Sequence, residues 1–395
     1  MGRMIVDLHA HYPMHVLPEA KGSLWQLLRT PLGRARLRDR VRALLVGFAS
    51  RFGNYRSFSS RPRVTMDSLQ RGQVRVALSV LFSFFDELEL GEPYPAKPNS
   101  SYLAPLLRNL ERVEEDIGEQ HAQAAVVAHS PLELERALDQ GKVALVHCVE
   151  GGFHLGGTAA EIDRAVTELA RRGVAYITVA HLVWRHVATS APAIPFLPDW
   201  LYRRAFPQPD QGLSELGEAA VQAMVRERVL VDLSHMSDRA LADTFALLDR
   251  LDGRRRVPVF ATHACFRFGS QEYGLPEGSV RHVAERDGVV GLIMAQHQLN
   301  SGVRTTRSWR FRDSFEVICA HIDRIGEVTG SHQHTAIGSD FDGFIKPTVA
   351  GLESAGDMQR LEGALRERYG DADGESICSG NALRVLNAGW GGSRS

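Results

Sequence analysis

Two histidines stand one residue apart in "MIVDLHAHYP", at His9 and His11, straight after the first apolar run of the chain. Alternate residues on a strand face the same side, so imidazoles at this spacing can approach one ion together. Residues of the same chemical kind recur where later apolar runs end: Glu150 in "VHCVEGG", His181 in "VAHLVW", His235 in "VDLSHMS", His263 in "FATHACF" and Asp340 in "GSDFDG". Neutral imidazoles mixed with carboxylates suit zinc or a similar first-row cation. A carboxylate shared between two cations reduces their repulsion, the role expected of Glu150. A paired site of that kind activates water and polarises a carbonyl, and Asp340 is expected to manage protons beside the water. A histidine at one strand end is more often structural than a ligand. The recurrence over several strand ends is what points to a metal centre.

These side chains can meet only if the runs carrying them lie side by side. Eight runs qualify as strands: "MIVDLH", "VRVALSVLF", "KVALVHCVE", "VAYITVAH", "VLVDLSH", "VPVFATH", "GVVGLIMA" and "TAIGSDFDG". Continuous apolar runs suit parallel strands buried on both faces. The stretches between them, such as "GTAAEIDRAVTELARRGV" and "SELGEAAVQAMVRERV", carry helical periodicity. Strand then helix, eight times, predicts an α/β fold of the (β/α)8 barrel type spanning residues 1–395 as one domain, with its chemistry at the C-terminal ends of the strands. A doubly wound open sheet is the alternative, disfavoured because no Gly-rich phosphate fingerprint follows the first strand. Residues 16–63 read as a basic amphipathic helical insert, expected to shape the barrel mouth or to pack a neighbouring subunit in a homodimer. The Pro- and aromatic-rich segment 184–212 reads as a long loop on the catalytic face. Asp232 and Asp342 are expected to orient ligands or fix loops. His147, His154 and His186 are expected either to support the ligands from behind or to be loop residues, and His332 and His334 to be solvated loop residues at the barrel's other end.

The chain has 395 residues, 44% of them hydrophobic, and a formal net charge of −1. That charge gives no electrostatic reason for a nucleic-acid or anionic-membrane partner, and the expected partner is a small-molecule substrate. The four cysteines, Cys148, Cys265, Cys319 and Cys378, are scattered without a CxxC pair, which fits a reducing compartment. The first expected strand starts near Met4, leaving no room for a secretory leader, and no apolar stretch is long enough to span a bilayer. The expectation is a cytoplasmic protein with no membrane anchor.

Across nearly its whole length the chain resembles the membrane (renal) dipeptidase family, the M19 peptidases of the amidohydrolase superfamily. The matching pieces are "DLHAHYP", "VEGG", "VAHLVW", "GLSELGEAAVQAMVRERVLVDLSHMS", "PVFATHACFR", "GVVGL", "IGSDFDG" and "SGNALRVL". The resemblance implies a (β/α)8 barrel holding two zinc ions per chain. It implies His9, His11, Glu150 and Asp340 as ligands of the more buried ion, and Glu150, His235 and His263 as ligands of the other. His181 is implied as the substrate-binding histidine that steadies the oxyanion, and the reaction as hydrolysis of a dipeptide bond. Three departures stand out. The family's His-x-Asp is His-x-His here, at His9 and His11. The insert at 16–63 is not part of the usual pattern. The Arg that anchors the substrate carboxylate, about ten residues after the histidine matched by His263, falls in "SQEYGLPEG", where Tyr273 stands in its place. A phenol cannot make the bidentate guanidinium contact, and Arg267 is the nearest cation that could take over. Alternatives are therefore a related enzyme acting on another amide, a lactam or an ester, such as an N-acyl amino acid, or a catalytically silent barrel that only binds.

Overall fold

A computed structural model describes residues 3–16, 37–42, 44–45, 62–89, 92–195, 197–343, 345 and 348–391. Nine strands lie in one parallel sheet: β1 (Ile5–Ala10), β2 (Val74–Leu81), β3 (Ala125–Val127), β4 (Val143–Glu150), β5 (Tyr176–Thr178), β6 (Leu230–Asp232), β7 (Phe260–Ala264), β8 (Val289–Leu292) and β9 (Thr335–Ile337). Their order is β2-β1-β9-β8-β7-β6-β5-β4-β3, and an additional β2–β4 pairing closes the ring. The open-sheet alternative is thereby excluded. β3 hangs outside the ring on the first residues of β4. It is a strand unread in "AQAAVVAHS", too short to announce itself by periodicity. The eight expected strands are the eight of the ring.

The apolar runs form this ring because both faces of each strand are covered. Every residue of β1 and of β4 is buried. Val6, Leu8, Val76, Leu78, Val146, Tyr176, Leu230, Phe260 and Val289 belong to one apolar cluster. Residues from strands all round the ring can meet in this way only inside it. The same cluster includes Val385, Leu386 and Trp390, from and beside the C-terminal helix Asn381–Gly389. That helix closes the end where the strands begin: Arg384 donates to the carbonyls of Asp287 and Gln333, and the Gly391 amide to that of Arg228. His334, whose Nδ1 meets the Gly288 carbonyl at 2.8 Å, lies at this end as expected.

The crossover helices cap in ways the sequence shows. Thr158, Ser214 and Ser237 each accept a backbone amide at the start of Ala159–Arg171, Glu215–Glu227 and Asp238–Leu251, satisfying donors that the first turn leaves free. Most of the insert expected at 16–63 lies outside the described residues. Its stretch 37–42 is helical, and there Arg42 donates to the Ala205 carbonyl and stacks 4.9 Å over Tyr94. Ala205 ends the short helix Asp199–Ala205 within the segment expected as a loop after β5. This part of the insert therefore does lie against a catalytic-face connection.

One close approach holds the site end of the ring. At Gly338, immediately after β9, an added Cβ would stand 1.6 Å from the Thr262 carbonyl oxygen of β7. The clash is with backbone, so it cannot be relieved by a rotamer change. Gly338→Ala is expected to cost about 3 kcal/mol through overpacking, read as a lower urea midpoint at unchanged slope. A midpoint equal to that of the unsubstituted chain would show that β7 and β9 do not approach this closely.

Candidate metal centre

Glu150, the last residue of β4, is the hub of the strand-end residues. Its Oε1 lies 3.4 Å from His9 Nε2, 3.3 Å from His181 Nε2, 3.5 Å from His235 Nε2 and 3.4 Å from His263 Nε2. Its Oε2 lies 3.7 Å from His11 Nε2. Asp340 Oδ1 is 3.0 Å from His11 Nε2 and 3.8 Å from His9 Nε2. The structure thus brings together all seven residues read from the strand ends, and each is nearly or wholly buried.

Backbone pairing places them. The Asp340 amide donates to the His9 carbonyl and the His11 amide to that of Phe341, so the turn after β9 is zipped over the end of β1. His235, Asp340 and Asp342 hold φ of 65°, 56° and 69°, the left-handed region that costs a residue with a Cβ and often marks functional turns. Asp342 fixes this turn, as expected: its Oδ2 accepts the amides of Arg63 and Val64 and lies 2.5 Å from His15 Nε2. Asp232 does likewise beneath the site, accepting from Thr178, Ser234 and Thr262.

Hydrogen bonds below the centre assign the histidine tautomers. The Thr262 hydroxyl donates its proton to Asp232 at 2.8 Å, so its oxygen must accept from His263 Nδ1–H, 2.9 Å away. The Tyr176 hydroxyl donates to the Leu8 carbonyl at 3.1 Å and accepts from His9 Nδ1–H at 2.8 Å. Both imidazoles therefore carry a proton on Nδ1 and turn Nε2 toward Glu150. Holding a ligating ring by its other nitrogen is the usual support for a metal-binding histidine. His181 is held by Glu87 Oε2, 2.7 Å from its Nδ1. Glu87, Tyr176 and Thr262 were not singled out by sequence reasoning. No local motif marks them, because their value comes from what they face across the barrel.

Charge is balanced inside this cluster. Burial alone would push the Glu150 carboxyl up, but His181, His9 and the hydrogen bond from His235 hold it well below the usual range. Burial opposes charge on His181, yet Glu150 and Glu87 raise it to about 9. Burial, with the charge of His9 beside it, drives His263 down, and burial also lowers His235.

The donor set fits metal ions. Three groups present ligand atoms all within 4.8 Å of one another: His9, His11 and Asp340; His9, Glu150 and His263; and Glu150, His181 and His235. His9 Nε2, His11 Nδ1, His235 Nδ1 and Glu150 Oε2 are buried without a hydrogen-bond partner, a cost that a cation would relieve at the atoms facing it. Glu150 belongs to two of the three groups and His9 to two. A binuclear metal-binding architecture is present.

Two expected substrate residues are engaged elsewhere. Arg267 makes a two-pronged ion pair with Asp238 at 2.7 and 2.6 Å, and donates to the carbonyls of Gly274 and Glu272. Four of its five N–H donors are thus engaged, and it is not among the residues lining the pocket. Tyr273 lines the pocket, but its hydroxyl proton goes to the His263 carbonyl at 2.7 Å. It offers a ring wall, not a free donor.

A family model described as membrane dipeptidase (peptidase family M19) matches residues 38–389. The chain belongs to the membrane dipeptidase family. Among its curated relatives, dipeptidase aclJ of Aspergillus oryzae is 29% identical over 249 residues, 62% of this chain and 51% of that protein. Dipeptidase tcpJ of Claviceps purpurea is 24% identical over 274 residues, 68% of this chain and 56% of that one. The chain thus spans about half the length of the curated relatives it matches. Among solved structures, a metallopeptidase of Rhodobacter sphaeroides, liganded with a phosphinate mimic of the dipeptide L-Ala-D-Ala, superposes with a TM-score of 0.71 at 18% identity. That match covers 98% of this chain and 99% of the other. The probable dipeptidase PvdM of Pseudomonas aeruginosa gives 0.63 at 20% identity, over 83% of this chain and 89% of that one. These two likenesses show that the membrane dipeptidase fold is shared.

Thr262→Val removes the hydroxyl that fixes His263 while keeping its shape. Zinc affinity is expected to fall about 10–100-fold, measured by competition with a chromogenic chelator. Unchanged affinity would mean that His263 needs no such support.

Proposed function

We propose that this protein is a binuclear zinc hydrolase that cleaves a dipeptide or dipeptide-like amide bond, acting as a single cytoplasmic barrel domain. The observation that carries the reading is the buried Glu150 carboxylate ringed by His9, His11, His181, His235 and His263 with Asp340 alongside. His9, His11, Glu150 and Asp340 would hold one ion, and Glu150, His235 and His263 the other. When bound, the pair supplies Lewis acidity to the scissile carbonyl and acidifies water.

The chain's own groups do the remaining work. Water adds across the C–N bond, leaving a carboxylate and an amine. His181, fixed through Nδ1 by Glu87, keeps Nε2 toward the pocket, where a proton on it donates to the carbonyl oxygen as charge develops. Asp340 takes the proton of the attacking water and returns it to the leaving nitrogen. Phe82, Leu182 and Ile293 line the same pocket and exclude bulk water around it.

A second reading keeps this chemistry and changes the substrate to an N-acyl amino acid, a lactam or an ester. It is favoured by the commitment of Arg267 to Asp238, which withholds a cation from a substrate carboxylate. A panel of free dipeptides, N-acyl amino acids, lactams and esters separates the two readings by kcat/KM.

After zinc loading, elemental analysis is expected to give about two ions per chain, falling in Glu150→Ala. Asp340→Asn is expected to lower kcat by about 100-fold or more, with KM little changed. A metal content near zero in the unsubstituted chain would sink the proposal. Near-normal turnover in Asp340→Asn would remove Asp340 from the proton path.

A further inference from the structure

The pocket has a polar wall for which the hydrolytic machinery gives no use. Besides His11, Glu150, His235 and Asp340 it is lined by His297 and Gln298, both in the short helix Gln296–Leu299 that follows β8. This helix is pinned from several sides. The Gln296 side chain donates to the carbonyls of Ser308 and Thr348 and accepts the Ser308 amide. His321 Nε2 meets the Leu299 carbonyl at 2.8 Å, and Leu299 itself is buried. A helix so fixed presents its polar side chains in one place instead of letting them swing to solvent.

Among the described residues, neither His297 nor Gln298 makes a side-chain hydrogen bond, and His297 Nδ1 is buried with no partner. A buried polar atom left unpaired is costly, and in a native structure it asks for an explanation. The described residues lining this pocket include no lysine or arginine. Burial also lowers the His297 imidazole to about 4, so it is uncharged near neutrality. A neutral imidazole offers one donor and one acceptor, and a Gln amide offers both as well. Such a pair matches a substrate group that itself donates and accepts, such as a carboxamide. A carboxylate can only accept, so it would leave the donor-accepting half of this pair unused, and the described lining offers it no guanidinium.

We propose that His297, with Gln298 beside it, is a substrate-binding residue that selects an uncharged hydrogen-bonding group, of the carboxamide class, at the end of the substrate remote from the scissile bond. This rests on the hydrolase reading above and names the substrate class of that site. His297 is a specificity residue: it holds the substrate and takes no part in the proton transfers.

The test uses the zinc-loaded full chain and two probes, a non-hydrolysable phosphinate analogue of a dipeptide as the C-terminal acid and as the C-terminal amide. Calorimetry is expected to show the amide bound at least as tightly as the acid. His297→Ala should weaken the amide about tenfold, the size of one or two lost neutral hydrogen bonds, with zinc content unchanged. His297→Asn, which restores a donor and an acceptor, should recover most of the loss. In turnover of the matching dipeptide amide, His297→Ala should raise KM with little change in kcat. The proposal is overturned if amide affinity is the same in His297→Ala, or if the acid binds more than about tenfold tighter than the amide in the unsubstituted chain. If the binding pattern holds but no dipeptide acid or amide is turned over, the hydrolase reading fails and the binding role of His297 stands.

Discussion

A carboxylate withdrawn from water is the constraint around which this molecule is organised. Glu150 sits 1% exposed at the end of β4, where an isolated charge would be too costly to keep. It remains ionised chiefly through His181, His9 and the hydrogen bond from His235, and four imidazole nitrogens, that of His263 among them, stand between 3.3 and 3.5 Å from one of its oxygens. Those nitrogens come from the ends of β1, β5, β6 and β7, or just beyond them. No single hairpin or helix could supply them, whereas a closed ring of parallel strands supplies them all, since every strand ends at the same rim. Barrel closure and charge compensation are in this sense one requirement.

The rim alone would not hold the rings in a useful orientation. A layer of hydroxyls and carboxylates below it does so: Asp232 through Thr262 for His263, Tyr176 for His9, Glu87 for His181. These contacts settle which nitrogen of each ring faces inward. The turn that brings Asp340 over His11 is held in left-handed backbone by Asp342 and its partners. At Gly343 an added Cβ would stand 1.9 Å from the Asp340 carboxylate, so the carboxylate position depends also on a missing side chain next to it.

Much of this was legible in the amino-acid order. The eight runs of the ring were readable because buried parallel strands are apolar throughout. His9, His11, Glu150, His181, His235, His263 and Asp340 were readable because each stands where such a run stops. What escaped was whatever has no local period or whose meaning lies across the barrel. β3 has three residues. Tyr176 and Thr262 look like ordinary strand residues until their hydroxyls are seen beneath a histidine. Arg267 read as a free cation in "THACFRFG", because its partner Asp238 lies 29 residues away in sequence. His297 sits in "AQHQL" with nothing local to distinguish it, and only the packing of its short helix turns it to the pocket.

The two ends of the barrel have been given different tasks, and the chain's last described residues belong to the closed one. Trp390 is buried with the strand-start cluster, and Gly391 bonds to Arg228 just before β6. Gly391 therefore stands at the floor, with the rim facing the opposite way. Held by that floor on a sensor or a bead, the protein would turn its mouth toward the solution, and diffusion of small molecules into the pocket would not be obstructed by the support.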